Sequence, residues 1–539
     1  MNDTRVAYVN ARVRTGDPLV PFGTVLAVEN GMVSSVGFEQ PDADDWTIVD
    51  LGGRTVLPGF IDGHVHPLLG GGHERGCDLG GIDTIEGYWS AIRAYQQATP
   101  GDGLLTITGY SAILVATTHV NRLDLDAVVG DRAVLMVNSD QHGALASTAA
   151  LQQAGIMDAP ATAQGKHIER LPDGTPSGLI NEESIQLVRR LAGPPSETDA
   201  AQDVLAGQRA LHRLGVVGWQ DALLGTEFGT VDVGRVYLAL AEQETLTARV
   251  TGAIYWDRTR GLEQLDSIIE RRAQYSAGRF RAPAVKMLLD GVHEAGTAAM
   301  LENYFDAAGH PLGNSGGTMI EPADLARVLI ALDANDFDVH FHALGDRAVR
   351  EALDAVEAAR RANGYRGTRH QIAHLTFVAT DDLPRFRGLD VTANLQLVWT
   401  ASDFLDFPQY ETYVGEEAMS RMSQLATWDG YGIRWSAGSD WPVSSPNPFD
   451  ALQAAVHRSL HGEPLDSIRA QHLPLSTALA AYTSGSAFSS RLDSNGVLRR
   501  GMNADFIVLG DDPFAHENLT DCVVEQTVIA GETVYSAAS

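Results

Sequence analysis

The two ends of the chain differ from its middle in the pattern of apolar and polar positions. Each end carries short segments that alternate or run β-branched between Gly and Asn residues, which predicts β-strands. The predicted strands cover residues 6–9, 24–29, 32–36 and 47–50, and then 505–509 and 522–534 with a turn at 530–532. We therefore expect residues 1–55 and 491–539 to meet in one small β-domain.

The middle of the chain, residues 56–490, alternates short apolar runs with helical stretches, which is typical of βα units. Eight strands are predicted, over residues 56–60, 216–220, 249–255, 285–289, 338–341, 371–373, 390–397 and 434–437. Helices are predicted at 321–335 and 346–363. Eight such units favour an α/β fold, a (β/α)8 TIM barrel. More than 150 residues separate the first two strands, which predicts an insertion after barrel strand 1 at about residues 79–196.

Histidines follow several predicted strands at their C-terminal ends, where barrel enzymes carry their active sites. His64 and His66 follow the first strand, and residues two apart on an extended strand point to the same face. A second pair, His340 and His342, ends the fifth strand, and His374 ends the sixth. This arrangement predicts a metal site with imidazole ligands.

Two other residues at strand ends point to chemistry. Asp440 follows the eighth strand, and a carboxylate that emerges beside several histidines is a candidate proton-transfer base. Lys286 lies inside the apolar fourth strand, where an unpaired ammonium is costly. Burial favours the neutral amine, which can capture carbon dioxide as a carbamate that bridges two cations. The alternative is an ammonium paired with Asp290 or with a substrate carboxylate, and the residues alone leave both open.

The amino-acid composition mainly excludes certain partners and kinds of site. The 539 residues include 39 Lys and Arg against 69 Asp and Glu, a net charge of −30, so no nucleic-acid or anionic-membrane partner is expected. Two cysteines, Cys77 and Cys522, are too few for a disulfide framework and fit a reducing compartment. Neither a signal peptide nor an apolar run of about 18 residues is present. We expect a cytoplasmic protein with a small-molecule partner; assembly into a homo-oligomer stays open.

Several motifs in this order resemble a known family. They are PGFIDGHVHP at 58–67, VKMLLDG at 285–291, HFHALGDRAV at 340–349, IAHL at 372–375 and SAGSDWPV at 436–443. Together with the tail GVLRRGMNADFIVL at 496–509, they resemble the amidohydrolase superfamily of metal-dependent hydrolases. The segments HALGDRAV at 342–349 and SDWPVSSPNP at 439–448 look like its amidohydrolase-3 branch, whose members include N-substituted formamide deformylases.

The resemblance implies a distorted barrel, a small β-sandwich domain built from both termini and one or two zinc-type ions. His64 and His66 would hold the more buried ion, and Lys286 would bridge as a carbamate. His342 and His374 would hold the second ion, since in this branch the ligand is the histidine directly before Ala-x-Gly-Asp. Asp440 would touch the metal site and move the proton.

Further residues are assigned to the substrate. His142, from the insertion, falls where the branch often has a histidine and is expected to act on the substrate carbonyl. Glu182, His340 and Trp441 are candidate substrate-binding residues, and His293 is a candidate lining residue of the pocket.

The predicted function is hydrolysis of a C–N bond in an N-acyl or N-formyl amide by metal-activated water, with Asp440 as the proton shuttle. The same site could serve a cyclic amide, a carbamate, an ester or a deamination substrate. A non-catalytic regulator that keeps the fold is the alternative of another class. The number and identity of the ions stay open.

Overall fold

The computed structural model describes residues 5–42, 44–139, 143–158, 168–181, 184–193, 196–226, 231–306, 308–404 and 407–537. Its centre is a barrel of eight parallel strands in which each strand neighbours the next one along the chain. These strands are β1 (Phe60–Val65), β2 (Val216–Leu224), β3 (Arg249–Tyr255), β4 (Phe280–Leu288), β5 (Asp338–Ala343), β6 (Gln371–His374), β7 (Thr392–Leu395) and β8 (Arg434–Ala437). The predicted TIM barrel is confirmed.

The barrel is nearly closed where β8 meets β1. Asn394 of β7 reaches across and donates its side-chain N–H to the carbonyl of Gly63 at 2.8 Å. Glycine is required here because the strands approach closely: a Cβ on Gly63 would lie 2.5 Å from Ser436 Oγ, and one on Gly438 would lie 2.4 Å from the backbone nitrogen of His64. The first and last strands therefore bring their C-terminal residues together.

Helices surround this sheet because their apolar residues recur at helical spacing and pack against the strands. Asp346–Asn363, for example, buries one such stripe and ends at Gly364, which has a φ of 74°. The longer helices around the barrel are Pro67–Arg75, Glu197–Arg213, Val233–Glu242, Leu265–Gln274, Pro322–Ala334, Asp346–Asn363, Leu383–Leu389, Phe407–Met419, Leu425–Gly430 and Pro448–His457. No helix within the described ranges has both the length and the apolar character needed to cross a bilayer.

The first barrel strand begins later than predicted. The prediction of one strand at 56–60 combined the end of one strand with the start of another. Thr55–Pro58 belongs to the terminal β-domain and pairs with Phe506–Leu509. The chain passes into β1 at Gly59, where a Cβ would lie 2.3 Å from the side chain of Val217. The correction places His64 inside β1 instead of beyond it.

The terminal residues form two sheets around a shared apolar core, to which Tyr8, Leu26, Val56 and Phe506 contribute. One sheet has the order Met32–Gly37, Val25–Glu29, Arg5–Val9, Thr47–Asp50. The other has the order Glu532–Ser536, Val524–Ile529, Phe506–Leu509, Thr55–Pro58, Arg12–Arg14, Phe22–Gly23. The two packed sheets form a β-sandwich from both ends of the chain.

The segment between the first two barrel strands builds a further sheet with its own apolar core. Its strands lie in the order Ile168–Arg170, Pro176–Asn181, Gly143–Ala146, Val134–Asn138, Leu105–Tyr110, Cys77–Asp78. The helices of this segment are Ile85–Ala98, Ala112–Thr117, Arg122–Val129, Thr148–Gln153 and Ser184–Arg189. The predicted insertion is thus a folded unit beside the barrel.

Candidate active site

Asp440 lies against both histidines of the first strand. Its Oδ1 is 3.3 Å from Nε2 of His64 and 3.1 Å from Nε2 of His66. The backbone holds this arrangement: the N–H of Asp440 donates to the carbonyl of His64 at 2.7 Å, and the N–H of His66 donates to the carbonyl of Trp441 at 3.0 Å. Residues 376 positions apart in sequence are thus fixed by direct contacts.

The histidines of β5 and β6 complete a cluster with His64. Nε2 of His340 lies 2.8 Å from Nδ1 of His64, so both ring nitrogens of His64 are in contact with polar groups. The ring of His374 lies 4.8 Å from that of His64 and 4.5 Å from that of His342, measured between ring centres. Nδ1 of His342 in turn lies 3.3 Å from Oδ1 of Asp290.

The backbone at two of these residues is strained. His374 has a φ of 80° and Asp440 a φ of 55°, in the left-handed region that non-glycine residues rarely adopt. Such a conformation costs roughly 1–3 kcal/mol and persists where the surrounding structure enforces it, often at functional sites. Both residues come directly at or after the ends of their strands, so the strain aims their side chains into the cluster.

Lys286 lies beside this cluster on the inner face of the barrel. It sits opposite His340 on the neighbouring strand, so both side chains point to the same face of the sheet. Its side chain is almost completely buried, with 2% exposure. Burial lowers the pKa of Lys286 to about 8, although the charges of Asp440 and Asp221 oppose this shift. About one tenth of the lysine is therefore neutral at pH 7.

Three imidazoles of the cluster, those of His64, His340 and His374, are held in the neutral form. Burial, followed by repulsion from neighbouring histidines and Lys286, lowers the pKa values of His64, His340 and His374 well below the usual range. Burial alone would raise the pKa of Asp440, but the hydrogen bond from His66 and nearby positive groups outweigh it, so the pKa is lowered. The site thus combines neutral nitrogen ligands with an ionised carboxylate.

Comparison with known proteins now identifies the chain. Residues 47–535 match the Amidohydrolase family. The chain belongs to the amidohydrolase family. This amidohydrolase is 27% identical to Protein LONG AFTER FAR-RED 3 of Arabidopsis thaliana over 546 residues, covering 98% of this chain and 91% of that protein. It is 24% identical to the N-substituted formamide deformylase of Arthrobacter pascens over 547 residues, covering 98% and 97% of the two chains.

A solved structure shares the fold of the amidohydrolase. An uncharacterized metal-dependent hydrolase from Pyrococcus horikoshii OT3 superposes with a TM-score of 0.76 at 23% identity, covering 96% of this chain and 99% of that one. Membership of the family makes the protein an amidohydrolase enzyme.

The residues present fit a divalent ion. His64, His374 and Asp440 each offer one ligand atom, and these atoms all lie within 4.8 Å of one another. Several polar atoms around them are buried without a hydrogen-bond partner within the described part of the chain, among them Nδ1 of His340, Nε2 of Gln396 and Nε1 of Trp399. Neutral imidazole and carboxylate form a ligand set that suits zinc-type ions.

The structure describes most of the predicted site residues, but not all of them. The structure brings His64, His66, Lys286, His342, His374 and Asp440 to the C-terminal end of the barrel. His142 and Glu182 lie outside the described residues. Trp441 is buried, and its ring packs so closely on Gly70 that a Cβ there would lie 2.3 Å from it.

His340 occupies a different place from the one expected of a substrate-binding residue. It is fully buried, and its Nε2 is directed at His64. Because no part of the ring is exposed, His340 can act on the site only through its neighbours. Its position two residues before His342 on the same strand made the two histidines hard to separate in the sequence.

Sequence reasoning gave no role to Gln396 and Asp62, and it gave Trp399 only as a candidate aromatic residue of the pocket wall. Oε1 of Gln396 lies 2.8 Å from Nδ1 of His374, and Trp399 stacks on the His374 ring at 5.3 Å with an angle of 8° between the planes. Asp62 of β1 accepts the backbone N–H groups of His64 and Ser439, and burial raises its pKa to about 7. The signal for Gln396 was available, since it follows β7 as the other site residues follow their strands.

Proposed function

We propose that this amidohydrolase cleaves the C–N bond of an N-acyl or N-formyl amide. The observation that carries the proposal is the contact of the Asp440 carboxylate with His64 and His66, next to His374. A carboxylate whose pKa is lowered is ionised at neutral pH and can accept a proton. The likeness to an N-substituted formamide deformylase supports the amide as the substrate class.

In this proposal, His64, His66, His342, His374 and Asp440 hold one or two zinc ions. A zinc-type ion lowers the pKa of a water molecule towards neutrality and polarises a carbonyl oxygen. Asp440 accepts the proton of the attacking water and later gives it to the leaving nitrogen. Lys286, as a carbamate formed with carbon dioxide, would add a bridging ligand, for which its buried and partly neutral amine is suited.

His340 has a positioning role in the same proposal. If Nε2 of His64 binds a metal ion beside Asp440, the single proton of the neutral His64 ring is left on Nδ1 and would be donated to Nε2 of His340. Such partners of metal-binding histidines fix the ring orientation and raise ligand basicity. His142, outside the described residues, keeps its predicted role at the substrate carbonyl.

We also propose a cytoplasmic location and a small-molecule substrate. The location is supported by Cys77 and Cys522, both buried and unpaired, which suit a reducing compartment.

The test is the substitution Asp440→Asn. We expect hydrolysis of N-formyl amides to fall by about 100-fold or more, because the proton acceptor is lost, while zinc content stays near that of the wild type. Asp450→Asn is the matched control, since Asp450 bonds Ser445 and Asn447 outside the cluster. Wild-type turnover in Asp440→Asn with zinc bound would exclude the role of Asp440.

A further inference from the structure

A cavity of about 70 Å³ lies between the segment that follows β4 and the helix Phe407–Met419. Its lining residues are His293, Glu294, Tyr410 and Tyr413. Tyr413 and Glu294 are exposed, whereas His293 and Tyr410 are buried. The cavity therefore runs inward from a mouth at Glu294 and Tyr413 to a buried floor at His293.

His293 is the unusual group in this cavity. Its side chain is 3% exposed, and neither Nδ1 nor Nε2 has a hydrogen-bond partner in the part of the chain that the structure describes. The ring packs between Phe377 at 4.8 Å and Tyr410 at 6.0 Å, measured between ring centres. A buried polar group without a partner is destabilising, so a donor or acceptor from outside the chain is expected to meet it.

The cavity adjoins the metal-binding cluster. Phe377, which packs on His293, follows His374 by three residues. His293 follows Asp290 by three residues, and Asp290 contacts His342. His342 is also close enough to His293 to contribute to the lowering of its pKa. The cavity and the cluster thus lie at the same end of the barrel, which is the condition for one substrate to reach both.

The chemistry of the walls favours a cation. Glu294 supplies a carboxylate at the mouth, which accepts the hydroxyl hydrogen of Tyr410. No Lys or Arg is among the lining residues within the described ranges. Burial keeps His293 neutral by lowering its pKa to about 4, so one ring nitrogen can accept a hydrogen bond. Aromatic faces add attraction for an ammonium group.

We propose that this cavity binds an ammonium group at the end of the substrate remote from the scissile amide. The proposal rests on the proposed amide hydrolysis and specifies its substrate class, an N-acylated or N-formylated amine that carries a second, cationic amine. Glu294 provides the opposite charge, Tyr410 and Tyr413 the aromatic walls, and His293 an acceptor at the floor.

The test uses N-formyl-α,ω-diaminoalkanes of increasing length, each beside an N-formylalkylamine of the same length, with the zinc-loaded enzyme. At the best length we expect kcat/KM to be about 10-fold or more higher for the cationic compound. Glu294→Gln should remove most of this preference, and His293→Phe, which fills the floor, should remove it through KM. Glu417→Gln is the control. Glu417 lies on the helix that carries Tyr410 and Tyr413, and it pairs with Arg421 outside the cavity.

Binding without turnover separates this proposal from the proposed function. Calorimetry of α,ω-diaminoalkanes against alkylamines should show tighter binding of the diamine, and Glu294→Gln should abolish the difference. If no amide is hydrolysed but this difference is found, the cation site is supported and amide hydrolysis is excluded. If amides are hydrolysed without preference and diamines bind no tighter than monoamines, the cation site is excluded and the proposed function stands.

Discussion

Two buried histidines on neighbouring barrel strands have different surroundings. At the N-terminal end of β6, His370 has partners for both ring nitrogens. Nδ1 accepts the backbone N–H of Val339 at 3.2 Å, and Nε2 lies 3.2 Å from Oδ1 of Asp333. Within β5, His340 has one nitrogen on His64, whereas its Nδ1 is buried without a partner in the described part of the chain.

The partners of His370 form a closed network. Asp333 also accepts hydrogen bonds from Thr368, Arg360 and Asn363. Burial alone would raise the pKa of Asp333, but these hydrogen bonds and that from His370 outweigh it and lower the pKa. The two fully buried histidines thus have different roles. His370 completes a structural network, whereas His340 belongs to a site whose buried polar atoms require a partner from outside the chain.

Lys286→Met is expected to have the largest effect on activity at the C-terminal end of the barrel. It removes the nitrogen that we propose as a bridging carbamate, so we expect kcat/KM to fall about 1,000-fold, or roughly 4 kcal/mol. Carbon-13 NMR with labelled bicarbonate should show a carbamate signal in the wild type and none in the variant. With a pKa of about 8, the neutral fraction of Lys286 rises from about one tenth at pH 7 to about nine tenths at pH 9. Carbamate formation in the metal-free protein should increase over that interval, and a signal independent of pH would contradict it.

His340→Phe is expected to have a smaller effect, on metal binding. The variant leaves the His64 ring without the partner on Nδ1, and the loss of such partners lowers metal affinity by about 10- to 100-fold. Competition with a chromophoric chelator measures this affinity directly. His340→Gln restores an acceptor and should recover most of it. Unchanged zinc affinity in His340→Phe would show that the contact with His64 does not position the ligand.

His370→Phe makes the same substitution at the second histidine and should have the smallest effect on the site. It leaves the Val339 N–H and one bond of Asp333 unsatisfied, so we expect the free energy of unfolding to fall by about 1–2 kcal/mol. Zinc affinity and kcat should stay within about twofold of the wild type, because His370 bonds the Val339 backbone and Asp333 and none of the side chains in the cluster. A loss of zinc affinity equal to that of His340→Phe would remove the distinction between the two histidines.

The sequence predicted the elements that depend on local pattern. The strands of β3 and β8 and the helix Asp346–Asn363 have the predicted bounds, because apolar periodicity directly reflects which face is buried. The hairpin that joins the predicted strands 24–29 and 32–36 is equally local, because Asn30 and Gly31 both adopt the positive φ that its tight turn requires.

Features that depend on distant contacts were less accessible. The start of β1 was misplaced, because 56–60 is apolar throughout and the partner of Thr55–Pro58 lies near the other end of the chain. The contact of His340 with His64 joins residues 276 positions apart, and no local pattern indicates which of two alternate histidines meets it. His293 was a candidate lining residue, but its unpartnered nitrogens follow only from the packed structure.

The origin of the terminal β-sandwich has a consequence for synthesis of the protein. The strand Thr55–Pro58, which leads directly into β1, pairs with Phe506–Leu509, about 450 residues later. During translation the residues that bear His64 and His66 therefore leave the ribosome long before the strand that anchors them exists. These two histidines are therefore made early but anchored late, because their strand is fixed in place only after Phe506–Leu509 has been synthesised.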